Sequence, residues 1–191
     1  PGAAQTTIDY VAIASAGNAQ DYGDMAAGSN YGAGAASPTR GILLGGNNES
    51  PLAGMKSRIE FITIPTLGNG QDFGDLSQNH FFNINAASNS IRALAWGGTY
   101  PDTSTGTNII EFITIATRGN GVDFGDTTRA VNSAQATASS TRSVCYGGNG
   151  GGDNIVEYVN IMTQGNAIDF GDTLSGGKYS GAGFSNGHGG L

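Results

Sequence analysis

The chain has 191 residues, only 12% of them charged, with 33 glycines and a formal net charge of −7. Its eight basic residues are scattered, without the clustered Lys and Arg that a phosphate backbone or an anionic membrane requires, so neither nucleic acid nor membrane is an expected partner. The single cysteine, Cys145, excludes an intramolecular disulfide and a cysteine-built zinc site, and no apolar run approaches the ~20 residues that span a bilayer.

Solubility in such a chain comes from small polar side chains and a dense backbone ladder, which reads as all-β. The start, Pro1-Gly2-Ala3-Ala4, is no signal peptide, and a first residue other than Met suggests a processed or truncated chain. From Thr7 to Ala14 apolar positions alternate in the strand period, Ile8, Tyr10 and Ala12 on one face, Val11 and Ile13 on the other. Gly17-Asn18 turns the chain, and Asp21-Tyr22-Gly23-Asp24 forms a short second strand. Asn30 to Ser37 is almost without bulk, a strand that persists only where neighbours leave room for small side chains. Thr39 to Gly46 is a fourth strand closed by a double glycine, and the loop Asn47 to Lys56 follows.

The same order then recurs. The phrase Ile110-Glu111-Phe112-Ile113-Thr114-Ile115, followed by Gly119-Asn120 and Asp123-Phe124-Gly125-Asp126, has counterparts beginning at Ile8, Ile59 and Val156. The first Asp of the Asp-aromatic-Gly-Asp motif falls at 21, 72, 123 and 169, spacings of 51, 51 and 46 residues. A period near fifty sets the architecture, a stacked or closed array of repeats. Asn79 to Ser88 and Asn132 to Ser140 match the small-residue strand; Ile91 to Gly98 and Thr141 to Gly148 match the double-glycine strand, headed each time by Arg40, Arg92 or Arg142. The chain ends on a further small-residue strand, Lys178 to Ser185, and a shortened double-glycine segment.

A four-strand unit with a double glycine closing the second strand, an acid-aromatic pair in the third and an aromatic in the fourth resembles the kelch repeat of β-propellers. In the third copy the match runs through Gly97-Gly98, Asn108, Glu111-Phe112, Phe124 and Arg129. The sequence departs from kelch where Trp is usual, carrying Tyr22, Phe73, Phe124 or Phe170. The phrase from Ile110 to Asp126, and the tail Ser185 to Leu191, also resemble repeats in virion-associated proteins of marine tailed bacteriophages, notably those of cyanobacteria. The kelch resemblance implies one domain over 1–191, a propeller of about four blades at 29–76, 77–126 and 127–173, with a composite blade made of 1–28 and 174–191. An open array, or a trimeric fibre segment, is the alternative. The phage resemblance implies a non-enzymatic virion module, a tail fibre, appendage or capsid decoration. Its partners would be other virion proteins or identical chains in a homo-oligomer, with a cell-surface glycan as a further one. A free-standing sugar-binding propeller is the other reading.

Candidate site residues follow from the repeat. Eight acids, Asp21, Asp24, Asp72, Asp75, Asp123, Asp126, Asp169 and Asp172, form the four motifs, with Asp9, Glu60, Glu111 and Glu157 nearby. Calcium takes six to eight oxygens, and two Asp three residues apart supply too few by themselves. Capping of turns, or pairing with an Arg such as Arg129, is therefore the expected role, and no cofactor is required. Loops after the double glycines, Asn47 to Lys56, Thr99 to Asn108 and Asn149 to Asn154, vary most and are where partners are met. They supply Asn48, Tyr100, Asp102 and Asn149 as candidate binding residues, with Trp96 beside them; Trp96 either stacks on a sugar or packs between repeats. No catalytic set repeats or converges: His80 and His188 are isolated, and Cys145 reads as a small buried hydrophobe.

Overall fold

A computed structural model of the protein describes residues 5–46, 57–78, 84–99, 106–148, 154–175 and 182–185. Their regular structure is all β, in four small antiparallel sheets. The first sheet has two strands, β1 (Thr7–Tyr10) and β2 (Gln20–Asp24). The second is a meander of β3 (Ala33–Ala36), β4 (Arg40–Leu44), β5 (Arg58–Thr63) and β6 (Gln71–Asp75). The third repeats it with β7 (Asn85–Ser88), β8 (Arg92–Trp96), β9 (Thr107–Thr114) and β10 (Val122–Val131), and the fourth with β11 (Gln135–Ala138), β12 (Arg142–Tyr146), β13 (Ile155–Asn160) and β14 (Ile168–Asp172).

The strands expected from the sequence form, with shorter bounds. The first was read to Ala14, but the chain turns where Ser15 N donates to Ala12 O at 3.2 Å, and β1 stops at Tyr10 because it has no second strand to pair the last two positions, as Gly41 and Arg40 pair Ile62 and Thr63. The same turn closes the equivalent strands at Thr66 to Thr63, Thr117 to Thr114 and Thr163 to Asn160. Small-residue strands of neighbouring sheets lie side by side: Ser88 Oγ donates to Ala36 O at 2.8 Å, and Asn89 Nδ2 to Ser140 O at 3.0 Å. That proximity explains why Gly and Ala occupy them. Much of the strand expected over 79–88 and of the one over 178–185 falls outside the described residues.

Packing follows the strand period. Along β8, Ala93 and Ala95 enter the core shared with the second sheet, while Leu94 and Trp96 enter the core shared with the fourth. The third sheet is thus covered on both faces. One core joins Ile42, Leu44, Ile59, Phe61 and Phe73 to Ile113 and Ile115; the other joins Ile110, Phe124 and Val131 to Cys145, Val159 and Ile161.

The Asp-aromatic-Gly-Asp motif has one structural consequence in every sheet. Ile8 faces Gly23 and Asp9 faces Asp21, so Tyr22 is an extra, unpaired residue; Phe73, Phe124 and Phe170 are skipped in the same way. The motif is a β-bulge. Each bulged ring stands edge-on to an aromatic of the preceding strand, as in Phe61–Phe73 at 5.9 Å and Phe112–Phe124 at 5.9 Å.

The bulge turns the aromatic's carbonyl away from its own ladder and toward the next sheet. Gly68 N donates to Tyr22 O at 3.0 Å, Gly119 N to Phe73 O at 2.9 Å and Gly165 N to Phe124 O at 2.8 Å. A second rung runs from Gly70 N to Asp24 O, Gly121 N to Asp75 O and Ala167 N to Asp126 O, at 2.7–2.8 Å. The third rung runs back, from the N–H of Asp24, Asp75 and Asp126 to the side-chain oxygen of Asn69, Asn120 and Asn166, each at 3.1 Å. The glycine after each bulged aromatic admits this approach: Gly23 has φ +146°, and a Cβ there would stand 2.7 Å from the Gly68 carbonyl.

A paired substitution isolates the approach. Gly74 and Gly171 share the same backbone region, φ +148° and +134°, but Gly74 lies against Gly119 whereas Gly171 has nothing within 4 Å. Gly74→Ala is expected to destabilise by about 2 kcal/mol more than Gly171→Ala, the scale of forced overpacking, measured as the difference between their urea midpoints multiplied by a common slope.

Candidate functional site

The repeated acids build a second clasp. Glu60, Glu111 and Glu157 lie in the third strand of each four-stranded sheet and are fully buried. Each carboxylate accepts the N–H two residues beyond the preceding sheet's bulge motif: Ala26 N to Glu60 at 3.0 Å, Ser77 N to Glu111 at 2.7 Å and Thr128 N to Glu157 at 2.8 Å. A buried carboxylate needs such donors, and two of these also hold an arginine. Arg58 pairs with Glu60. Arg129 Nη1 meets Glu157 Oε1 at 2.7 Å while its Nη2 donates to Gly147 O at 2.6 Å. Arg129 therefore pairs with the buried glutamate and not, as expected from the sequence, with a motif aspartate.

The motif aspartates sit outside. Asp24 accepts from Thr6 Oγ1 at 3.1 Å, Asp75 from Ser57 Oγ at 3.0 Å, and Asp169 from Gly171 N at 3.0 Å. Asp21, Asp72 and Asp123 face solvent, while Asp126 lies within β10 and Asp172 ends β14. Capping describes Asp169. The principal contribution of Asp24, Asp75 and Asp126 is through their backbone groups, in the rungs between sheets. Among the described residues no group of three or more His, Cys, Asp or Glu is placed to hold a metal ion.

The repeated arginines also bridge sheets. Arg40 lies over the Phe61 ring at 4.7 Å and donates to Ile115 O at 2.6 Å; Arg92 lies over Phe112 at 4.4 Å and donates to Ile161 O at 3.3 Å. Arg142 covers Tyr158 at 4.7 Å.

Of the candidate binding residues, Trp96 is corrected to a packing role: it has no exposed surface, lies in the core between the third and fourth sheets, and its Nε1 donates to Ser143 Oγ at 3.1 Å. A buried indole satisfied in this way presents no face to a sugar. Asn48, Tyr100, Asp102 and Asn149 lie outside the described residues, as do His80 and His188. The loop taken as Thr99 to Asn108 is narrower than expected, since Thr99 bridges to Gly106 and Thr107 begins β9. Asn154 likewise belongs to the sheet margin, accepting from Thr173 N at 2.7 Å.

Cys145 is fully buried, as a small hydrophobe would be. Burial pushes its thiol up to about 12, the nearby Glu157 carboxylate adds to that, and Arg129 partly offsets it. No nucleophile is made by such an environment. The clasping role of Asn69, Asn120 and Asn166 is the feature that turn propensity concealed; its only sequence signal is the recurrence of Gly-Asn at one spacing before each motif.

No protein-family model matches the chain, and no curated protein matches it. The arrangement itself can hold sheets together; among the described residues it brings no convergent set of ionisable groups to a cleft.

Two outcomes test these assignments. Glu157→Ala breaks the buried pair with Arg129, 13% exposed, and removes the acceptor of the Thr128 N–H, and is expected to cost about 3–5 kcal/mol, whereas Asp9→Ala, at the exposed equivalent, leaves the urea midpoint unchanged. The folded thiol of Cys145 keeps its proton up to about 12, while the unfolded chain releases it above 9.0, so this residue makes stability fall as pH rises through that window. Cys145→Ala is expected to flatten that slope, and native Cys145 to resist a thiol reagent at pH 8 that labels the unfolded chain.

Proposed function

We propose that the chain is a non-enzymatic structural and recognition module of a tailed-phage virion, built from kelch-like blades. The observation that carries the non-enzymatic part is how the acids are used: Glu60, Glu111 and Glu157 each satisfy a neighbouring sheet's backbone, and among the described residues no group of three or more acids, His or Cys converges. The virion part is supported by the resemblance of the phrase from Ile110 to Asp126 and of the carboxyl end to phage repeats.

The sheets are read as blades. The second falls within 29–76 and the fourth within 127–173, while β10 runs to Val131, past the boundary expected at 126. The first sheet supplies the outer half of a further blade. Of the expected arrangements, the open array is favoured over closure by the chain's own ends, because a Cβ at Gly171 would meet nothing within 4 Å, whereas at its counterparts Gly23, Gly74 and Gly125 it would strike the carbonyl of a glycine in the next sheet. The loops between β4 and β5, β8 and β9, and β12 and β13, most of whose residues lie outside the described ones, are the surface we assign to a virion protein, an identical chain or a cell-surface glycan. Burial of Trp96 removes the main support for a free-standing sugar-binding propeller.

Antibody raised to the purified chain is expected to label tailed particles by immunogold microscopy; label confined to the soluble fraction of a lysate overturns the virion assignment. Replacing 100–105 by a Gly-Ser link is expected to preserve melting and weaken attachment to particles or cells. Chelator and calcium are expected to leave Tm unchanged, where a calcium site would add about 2.7 kcal/mol at a hundredfold over its Kd.

A further inference from the structure

We propose that the chain assembles head to tail, the first sheet of a second copy docking on the outer face of the fourth sheet. The inference rests on the fold and is independent of the virion reading. Three junctions inside the chain are made by one set of groups, and the two ends carry the unused halves of a fourth set.

At each internal junction the trailing sheet offers the bulged aromatic's carbonyl and the carbonyl and N–H of the second motif aspartate. The following sheet answers with two N–H groups and an asparagine side chain. On the fourth sheet the trailing half is Phe170-Gly171-Asp172; on the first sheet the answering half is Gly17-Asn18-Ala19. Among the described residues these halves do not meet each other, and a Cβ at Gly171 would touch nothing, where one at Gly23, Gly74 or Gly125 would strike the answering glycine's carbonyl.

The arginine bridge is interrupted at the same place. Arg40 and Arg92 each donate to the carbonyl of an isoleucine, Ile115 or Ile161, in the next sheet; the counterpart for Arg142 is Ile13 of the first sheet. Ile13 is 99% exposed, whereas Ile115 and Ile161 are 1% and 0% exposed. Phe170 is 58% exposed, whereas Phe73 and Phe124 are 3% and 2% exposed. The bulged aromatic is buried wherever a following sheet is present, and the isoleucine wherever the sheet before it carries the arginine strand; Ile64, which follows the two-stranded first sheet, is 43% exposed. Among the described residues the two ends are therefore complementary faces without a cover.

The edge of the first sheet agrees. Beside β1 runs a groove of about 400 Å³ lined by Thr7, Ile8, Asp9, Ala35, Ile42 and Ile62, where the four-stranded sheets have a second strand next to their third. The trailing end carries residues 182–185, where Tyr146 Oη donates to Ala182 O at 3.2 Å and Gly183 lies against the Ala136 carbonyl of β11. One copy thus presents the start of a sheet's inner half, and the other its outer half. The contact joins two different surfaces, so it propagates into a ring or a filament and does not stop at a two-fold dimer.

Sedimentation velocity over a range of concentrations reads the proposal. Wild-type chain is expected to form species larger than the monomer, and Asn18→Ala to weaken the association by about tenfold, the worth of one hydrogen bond, while the dilute monomer melts as wild type does. Ile13→Asp blocks one end and Phe170→Asp the other; both alter side chains exposed in the single chain, and each variant alone is expected to be monomeric. Mixed, they retain one intact head and one intact tail and are expected to give a discrete 1:1 dimer. A wild-type chain that stays monomeric throughout, assembly by either blocked variant alone, or a mixture that stays monomeric overturns the proposal. A lower Tm of the dilute monomer in both Ile13→Asp and Asn18→Ala does so too, because it places the joint within one chain.

Discussion

The structure depends on an irregularity. A regular antiparallel strand spends its N–H and carbonyl groups on its own ladder, and a stack of such sheets would be held only by side chains. By inserting one extra residue, the bulge at Tyr22, Phe73 or Phe124 releases a carbonyl from the ladder and aims it at the next sheet. The glycine that follows removes the one atom that would stand in the way. The bulged aromatic packs beneath its own exposed backbone, so hydrophobic burial and the backbone rungs reinforce one another at the same residue.

Charge is deployed on the same plan. With few charged residues available, the chain places Glu60, Glu111 and Glu157 in its interior, where each carboxylate can take directed hydrogen bonds from the sheet before it. Burial of this kind contributes little net stability, since desolvation consumes much of the attraction. It does restrict register. A sheet shifted by one residue would leave an ionised carboxylate facing hydrocarbon, so the clasp penalises the misaligned stacks that a Gly-rich, low-charge repeat is otherwise prone to form.

The sequence disclosed the repeat, the all-β class and the order of strands within a unit, because periodicity and double glycines are local signals. It disclosed Cys145 as a buried small residue for the same reason, its neighbours alternating in the strand period. What joins the units was less legible. Gly119 and Asn120 read as a turn, but the turn falls earlier, at Ile115 and Ala116, and the group that Asn120 satisfies, on Asp75, is 45 residues away, which no local propensity reveals. Trp96 was ambiguous because a tryptophan beside a variable loop looks the same whether it stacks outward or packs inward; Ser143 decides between them, and its position follows only from the stacking of sheets.

Repetition by adjacent contacts makes stability nearly additive along the array, with one interface per neighbouring pair. In such a system the ends are the exception to every rule that holds inside. The first and fourth sheets have the sequence of covered sheets and the exposure of uncovered ones. Natural arrays blunt this liability with atypical, polar terminal repeats, yet Ile13 and Phe170 preserve the apolar character of their buried counterparts. Retaining an apolar, hydrogen-bonding face at both ends is costly for a chain that ends in water and consistent for one whose ends meet further repeats. On the head-to-tail proposal each end is the cover of the other in a second copy.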